Sequence, residues 1–183
     1  MQNISLLKRV FHWLLVSFFI VLFVTGISQI DYLHIVVGHL FSALVIARIA
    51  FGVFARKSDL FFKNYLHPIG ELIYHMKEMF SQSNTNIHIH NPAGSYMVLT
   101  LLTFSTIVFL TGLLIEGVIE FSGVFAFLAN EIDNQIASVF QLIHKIFSYT
   151  LLGLAMTHIS GVLLSSYKSK KNFSMMMING QIK

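Results

Sequence analysis

The chain has no cysteine among its 183 residues. Disulfides, thiolate metal sites, iron–sulfur clusters and haem attached covalently through C-x-x-C-H are therefore excluded. Charge is also scarce, since 11% of the residues are charged against roughly 25% in a soluble domain. Two prolines and no low-complexity tract exclude disordered and fibrous classes. With 55% hydrophobic residues and a mean hydropathy of +0.73, the composition predicts an integral membrane protein.

Four long apolar runs predict the membrane spans. They lie at about residues 10–29, 33–54, 93–116 and 141–165. Each is long enough, because about 20 helical residues cross the hydrocarbon core, and a helix satisfies its own backbone polar groups in lipid. We therefore expect an all-α, single-domain bundle of four transmembrane helices over residues 1–183. Two links, 64–80 and 122–140, are candidates for short amphipathic helices, although ordered loops would explain them equally well.

The positions of lysine and arginine predict the orientation of the bundle. Basic residues precede the first run, lie between the second and third, and follow the fourth, whereas the charges in the other two links are acidic. The positive-inside rule then predicts that both termini and the central loop lie on the cytoplasmic side of a bacterial inner membrane. This distribution also argues against nucleic-acid binding, despite the net charge of +4. We interpret the first run as a retained helix, because it is long and no A-x-A cleavage site follows it.

Five of the nine histidines lie in or at the ends of the apolar runs. An ionisable side chain is costly there, so each is a candidate functional residue. His144 and His158 are fourteen residues apart, which is about 21 Å of helix rise, and they lie on nearly one face of the fourth helix. The predicted topology places His12 at the depth of His158, and His34 at the depth of His144. The sequence thus predicts two cross-helix histidine pairs, one in each leaflet.

Two facing imidazoles suit the two axial positions of a haem iron. A structural metal ion would need three or four converging protein ligands, and a proton relay would more often include a buried Asp or Glu, which the predicted helices lack. The pattern therefore favours two haem groups, with iron centres about 20 Å apart along the membrane normal. His39 is an alternative to His34 as the ligand from the second helix; otherwise it would hydrogen-bond to a carbonyl or a propionate.

Four glycines and one arginine in the predicted helices are further candidates for contact with a haem. Small side chains let a flat ring approach a helix, although glycine is also common where helices pack. The glycines in question are Gly26, Gly38, Gly153 and Gly161. Arg48 lies at the inner end of the second helix, where it either pairs with a haem propionate or extends to the membrane interface.

The order and spacing of these pieces resemble the di-haem cytochrome b superfamily that contains bacterial cytochrome b561 and the b-type subunit of nickel–iron hydrogenases. The matching pieces cover nearly the whole chain: Arg9-Val-Phe-His12-Trp13, Thr25-Gly26, His34-x3-Gly38, Arg48-x3-Gly52, His90-Asn91-Pro92, Thr111-Gly112, His144-x13-His158 and Met177-Ile178-Asn179-Gly180. The His90-Asn91-Pro92 and tail pieces more closely resemble the hydrogenase-type branch than the free-standing b561 branch. His39 departs from the pattern, in which tyrosine or another non-ligand is expected.

The resemblance implies four axial ligands for two haems b: His12, His34, His144 and His158. It favours His34 over His39. It further implies electron transfer in a respiratory chain, between quinone near the cytoplasmic side and a periplasmic partner such as a cytochrome c or a hydrogenase-like subunit. The chain would then be the electron-transfer subunit of a quinone-linked oxidoreductase rather than a stand-alone enzyme. The alternative is a histidine-rich transporter or metal-binding membrane protein without haem, in which His88-Ile89-His90 collects the metal.

Overall fold

A computed structural model describes residues 4–80 and 92–181 of the chain. Within these ranges the α-helices are α1 (Leu6–Ile27), α2 (Asp31–Phe54), α3 (Ile69–Phe80), α4 (Pro92–Ile119), α5 (Asn134–Ser169) and α6 (Phe173–Asn179). Two short 3₁₀ turns, Phe62–Tyr65 and Ala126–Leu128, lie in the links. The described residues include no strand, so the all-α prediction is confirmed.

Helices α1, α2, α4 and α5 are each long and apolar enough to cross a membrane. The four predicted spans are thereby confirmed, although their ends differ. The largest difference is at α5, which begins at Asn134 instead of near residue 141. The side chain of Asp133 accepts a hydrogen bond of 2.8 Å from the backbone N–H of Ile136. This N-cap explains why the helix begins so early.

The two candidate amphipathic helices have different outcomes. Segment 64–80 forms α3 from Ile69 onward, and Pro68, which precedes this helix, accepts the first helical hydrogen bonds through its carbonyl. Segment 122–140 contains only the 3₁₀ turn before α5 begins. The first candidate is therefore largely helical, and the second is mainly a loop followed by the first turns of a span.

The chain divides into two compact units. Unit 1 comprises Met1–Trp13, Arg48–Leu101 and Leu154–Lys183, and unit 2 comprises Leu14–Ala47 and Leu102–Gly153. The predicted site residues in unit 1 are His12, Arg48 and His158, and those in unit 2 are Gly26, His34, Gly38 and His144. Each predicted histidine pair therefore lies within a single unit.

Candidate functional site: two histidine pairs

His34 of α2 and His144 of α5 approach each other in unit 2. Their ring centres are 6.2 Å apart, and the ring planes make an angle of 79°. With metal–nitrogen bonds of about 2 Å, and about 1 Å from a ring nitrogen to the ring centre, two imidazoles on opposite sides of one metal ion have centres about 6 Å apart. The separation of this outer pair (His34 and His144) therefore fits two axial ligands of one ion.

The His34 ring is held at Nδ1. This nitrogen is 3.0 Å from the carbonyl oxygen of Leu22 and 3.1 Å from Oγ1 of Thr25, both on α1. A carbonyl oxygen only accepts hydrogen bonds, so Nδ1 carries the proton and donates it. Nε2 is consequently left with its lone pair, which is the form in which imidazole binds a metal.

His144 is held in the same manner by α4. Its Nδ1 is 3.0 Å from the carbonyl oxygen of Val108 and 3.1 Å from Oγ1 of Thr111. Both threonine hydroxyls, those of Thr25 and Thr111, donate to carbonyls of their own helices, which leaves their oxygen lone pairs to accept from the imidazoles. The two imidazoles of the outer pair thus have equivalent supports at Nδ1, and each keeps the lone pair of its Nε2.

A glycine follows each of these threonines and lies against the imidazole. A Cβ atom at Gly26 would lie 3.2 Å from Cε1 of His34, and one at Gly112 would lie 3.3 Å from Cε1 of His144. Glycine therefore permits each ring to approach the helix that holds it. Gly38 differs, since the nearest atom to a Cβ there is 3.9 Å away, in Leu22, and is an ordinary contact.

His39 of α2 contacts Glu116 of α4. Its Nδ1 is 2.9 Å from the carbonyl oxygen of Ile35, and its Nε2 is 3.1 Å from Oε2 of Glu116. Both nitrogens of His39 therefore have a polar neighbour, whereas Nε2 of His34 keeps its lone pair.

Glu116 also corrects an expectation from the sequence. The sequence predicts no buried Asp or Glu in the spans, and it places Glu116 at the last position of the third span, 93–116. In the structure α4 continues past it to Ile119, and Glu116 is buried. Gly123, with a φ of 74°, packs so closely on this carboxyl group that a Cβ atom would lie 2.7 Å from its carbon. The turn after α4 therefore helps to bury the acid.

His12 of α1 and His158 of α5 are the corresponding residues of unit 1, and we call them the inner pair. Both side chains are half-buried. The His12 ring contacts Trp13 edge-on, with ring centres 5.2 Å apart. Its Nδ1 is buried and has no hydrogen-bond partner among the described residues. A buried polar atom without a partner is costly, so this ring is suited to a bound group that would satisfy it.

The residues that flank His12 hold the other end of the chain. Arg9 donates from Nη1 to the carbonyl of Ile178 at 2.6 Å, and Trp13 donates from Nε1 to the carbonyl of Met177 at 3.0 Å. Arg9 and Trp13 are one turn apart on α1, so they lie on one face. This terminal clasp, formed by Arg9, Trp13 and the two carbonyls, joins two sequence motifs that lie at opposite ends of the chain.

Arg48 is 5% exposed and holds the link that follows α2. It donates from Nη1 to the carbonyl of Leu60 at 3.0 Å, and its guanidinium carbon lies 5.3 Å from the ring centre of Phe62 and 5.6 Å from that of Tyr65. Gly52 makes room for the same Phe62 ring, because a Cβ there would lie 2.4 Å from it. These contacts explain the Arg48-x3-Gly52 spacing by packing of a loop, a role that the sequence did not suggest.

A family model described as prokaryotic cytochrome b561 matches residues 3–179. The chain belongs to this family. No curated protein and no solved structure gives a significant match. Membership of the prokaryotic cytochrome b561 family indicates binding of b-type haem and electron transfer in a membrane. The resemblance found in the sequence is confirmed at the level of the family.

The structure shows hydrogen-bond supports for the outer imidazoles that the sequence did not predict. The carbonyls of Leu22 and Val108 have no sequence signature, because every residue has a carbonyl. The repeated Thr-Gly dipeptide near the same ends of α1 and α4 was a usable signal, since it marks the two places where an imidazole is held. The His88 to His90 segment, proposed for the alternative metal-binding function, lies outside the described residues.

Proposed function

We propose that the chain is a membrane b-type cytochrome that holds two haems b, one at the outer pair and one at the inner pair. The outer pair carries the proposal, because its imidazoles have the separation of two axial ligands and both have Nδ1 held and Nε2 available. When bound, haem b supplies one-electron redox chemistry, while the protein supplies ligation, orientation and an apolar surrounding.

The chain's own residues would act mainly by positioning. Thr25 and Thr111, with the adjacent carbonyls, fix the tautomer and the orientation of the outer imidazoles. In unit 1, the terminal clasp holds Arg9 and Trp13 on either side of His12. In a bilayer, the mainly apolar spans would surround both pairs with side chains that keep water away.

Electrons would pass between a periplasmic redox protein at the outer pair and the quinone pool at the inner pair, near the cytoplasmic interface. The distribution of lysine and arginine supports this orientation, with both termini in the cytoplasm. A cytochrome c or a hydrogenase-like subunit would serve as the periplasmic partner, and basic groups on it would complement the acidic links. The chain is then an electron-transfer subunit of the bacterial inner membrane.

Haem counting and histidine substitution test this proposal. The wild-type protein in detergent should give a b-type reduced spectrum and about two haems per chain by pyridine haemochrome. His34→Ala and His144→Ala should each remove the same haem, and His12→Ala and His158→Ala should each remove the other. The matched control is His39→Ala, which should keep both haems because His39 is engaged with Glu116.

Three results would overturn the proposal. A protein that contains metal but no porphyrin would support the transporter alternative. Loss of a haem in the His39 variant with retention in the His34 variant would move the ligand of α2 to His39. Removal of one and the same haem by His12→Ala and His144→Ala would show that the pairing is wrong.

A further inference from the structure

The link between α4 and α5 exposes large apolar side chains outside the spans. Phe121, Val124 and Phe127 are 67%, 69% and 71% exposed. Phe121 has a φ of 53°, which is a strained conformation for a bulky residue. The turn is held by a hydrogen bond of 3.4 Å from the backbone N–H of Ser122 to the carbonyl of Glu116. Exposed apolar residues grouped in this manner are typical of an interaction surface.

The exposed charges of the same link are acidic. They are Glu120, Glu131 and Asp133, and residues 102–144 contain no lysine or arginine. Membrane-binding surfaces usually carry basic residues, which are attracted to anionic lipids. Acidic residues around an apolar centre instead complement a protein with a basic patch around its own apolar contact. The charge therefore favours a protein partner over the bilayer surface.

A cavity of about 280 Å³ lies beside these residues. Its lining includes Val118, Phe121 and Ile132, together with Asn134 and Gln141. A cavity lined by both polar and apolar groups can accept one anchoring side chain of a partner, and such anchors are where protein interfaces concentrate their binding energy.

Two of the residues that line the cavity lie on α5, shortly before His144 of the outer pair. Ala137, which lines the cavity, is seven residues before His144, so it lies about 10 Å along the axis and within about 20° of the same face. Gln141 is three residues before His144, or about 4.5 Å along the axis. A partner seated at the cavity would therefore sit at the end of α5 that carries the outer pair.

We propose that the link between α4 and α5 forms a docking surface for a soluble redox protein with a basic patch. This docking surface consists of Phe121, Val124, Phe127, the three carboxylates and the cavity. This surface is where electrons enter or leave the outer pair. The inference rests on the proposed function, because it assumes that the outer pair holds a haem. It adds to that function the residues of contact and the chemistry of the partner.

Binding of a basic probe tests the docking surface. The full chain, in nanodiscs of zwitterionic lipid, is titrated with mitochondrial cytochrome c, and the Kd is measured at low and moderate ionic strength. Phe127→Ser, which removes an exposed anchor, and Ala137→Trp, which fills the cavity, should each weaken binding about tenfold. Phe54→Ser is the matched control, since Phe54 is 80% exposed but lies in unit 1, and it should bind like the wild type.

The charged residues provide a second measurement on the same probe. Replacing Glu120 and Glu131 by glutamine should raise the Kd several-fold at low salt and should reduce its dependence on salt. The haem spectrum of each variant is recorded in parallel. An altered or absent haem spectrum in the wild type would count against the proposed function, and not against the docking surface.

Specific results would overturn the docking surface. One is a wild-type protein with both haems that shows no salt-dependent binding of the probe. Another is equal weakening by Phe54→Ser and Phe127→Ser. A third is unchanged probe binding in Phe127→Ser, which would assign these side chains to the bilayer surface.

Discussion

Each imidazole of the outer pair donates its Nδ1 proton to a backbone carbonyl and lies beside a threonine hydroxyl. A hydrogen bond at Nδ1 makes the imidazole a stronger electron donor through Nε2. Stronger donation stabilises the oxidised form of the metal and lowers its reduction potential. The two threonines, Thr25 and Thr111, are therefore expected to lower the potential of a haem bound at the outer pair.

Replacing both threonines by valine should raise that potential. Valine keeps the shape of threonine but accepts no hydrogen bond, and the carbonyls remain. The loss of about 0.5–1.5 kcal/mol per hydrogen bond corresponds to a rise of roughly 20–60 mV per site for a one-electron couple. An optical redox titration of the Thr25→Val, Thr111→Val double variant measures the shift.

Thr106 on α4 provides the matched control for this titration. Its hydroxyl donates to the carbonyl of Leu102 in its own helix, so Thr106→Val should leave both potentials unchanged. An unchanged potential in the double variant, or an equal shift of both haems, would contradict the role assigned to Thr25 and Thr111.

At the scale of single elements, α6 depends on its contacts with α1. It has seven residues, and an isolated helix of that length is unstable in water. Its first turn is capped by Asn172, whose side chain accepts from the N–H of Met175 at 2.9 Å, and it ends at Gly180 with a φ of 78°. The terminal clasp then binds its last carbonyls. This helix should therefore loosen when the clasp is weakened.

Trp13→Phe removes the donor to Met177 and keeps an aromatic ring beside His12. We expect α6 to open more often, by the equivalent of about 1 kcal/mol, because that hydrogen bond is lost. Limited trypsin digestion at Lys170 and Lys171, just before α6, should become several-fold faster, while the haem content stays equal to that of the wild type. Tyr167→Phe, at a position 85% exposed, is the control, and equal cleavage of both variants would rule out the clasp.

At the scale of the whole molecule, the lack of cysteine makes the orientation easy to measure. Lys57 and Asn130 are exposed in different links, and single cysteines there would be the only thiols in the protein. A membrane-impermeant maleimide added to intact cells should label Asn130→Cys at once, because the proposed topology places its link in the periplasm. It should label Lys57→Cys only after the cells are permeabilised. The reverse labelling pattern would show that the chain has the opposite orientation to the one proposed.

Hydropathy and histidine depth predicted the spans and the partners of the outer pair, because both depend on regular helix geometry. The spacing within α2 did not distinguish His34 from His39, since the difference lies in contacts with other helices. His39 bonds to Glu116 across helices, while His34 reaches carbonyls on α1. The sequence likewise did not predict the terminal clasp, because hydrogen bonds from side chains to carbonyls at the opposite end of a chain leave no local sequence pattern.

The equivalent supports on the two imidazoles also bear on the speed of electron transfer. Each ring is tied to the backbone of a neighbouring helix, α1 for His34 and α4 for His144. Neither can tilt or withdraw without breaking these bonds, so the two rings would move little if a haem held between them gained or lost an electron. A small reorganisation energy is the condition under which an electron can hop in either direction with little activation.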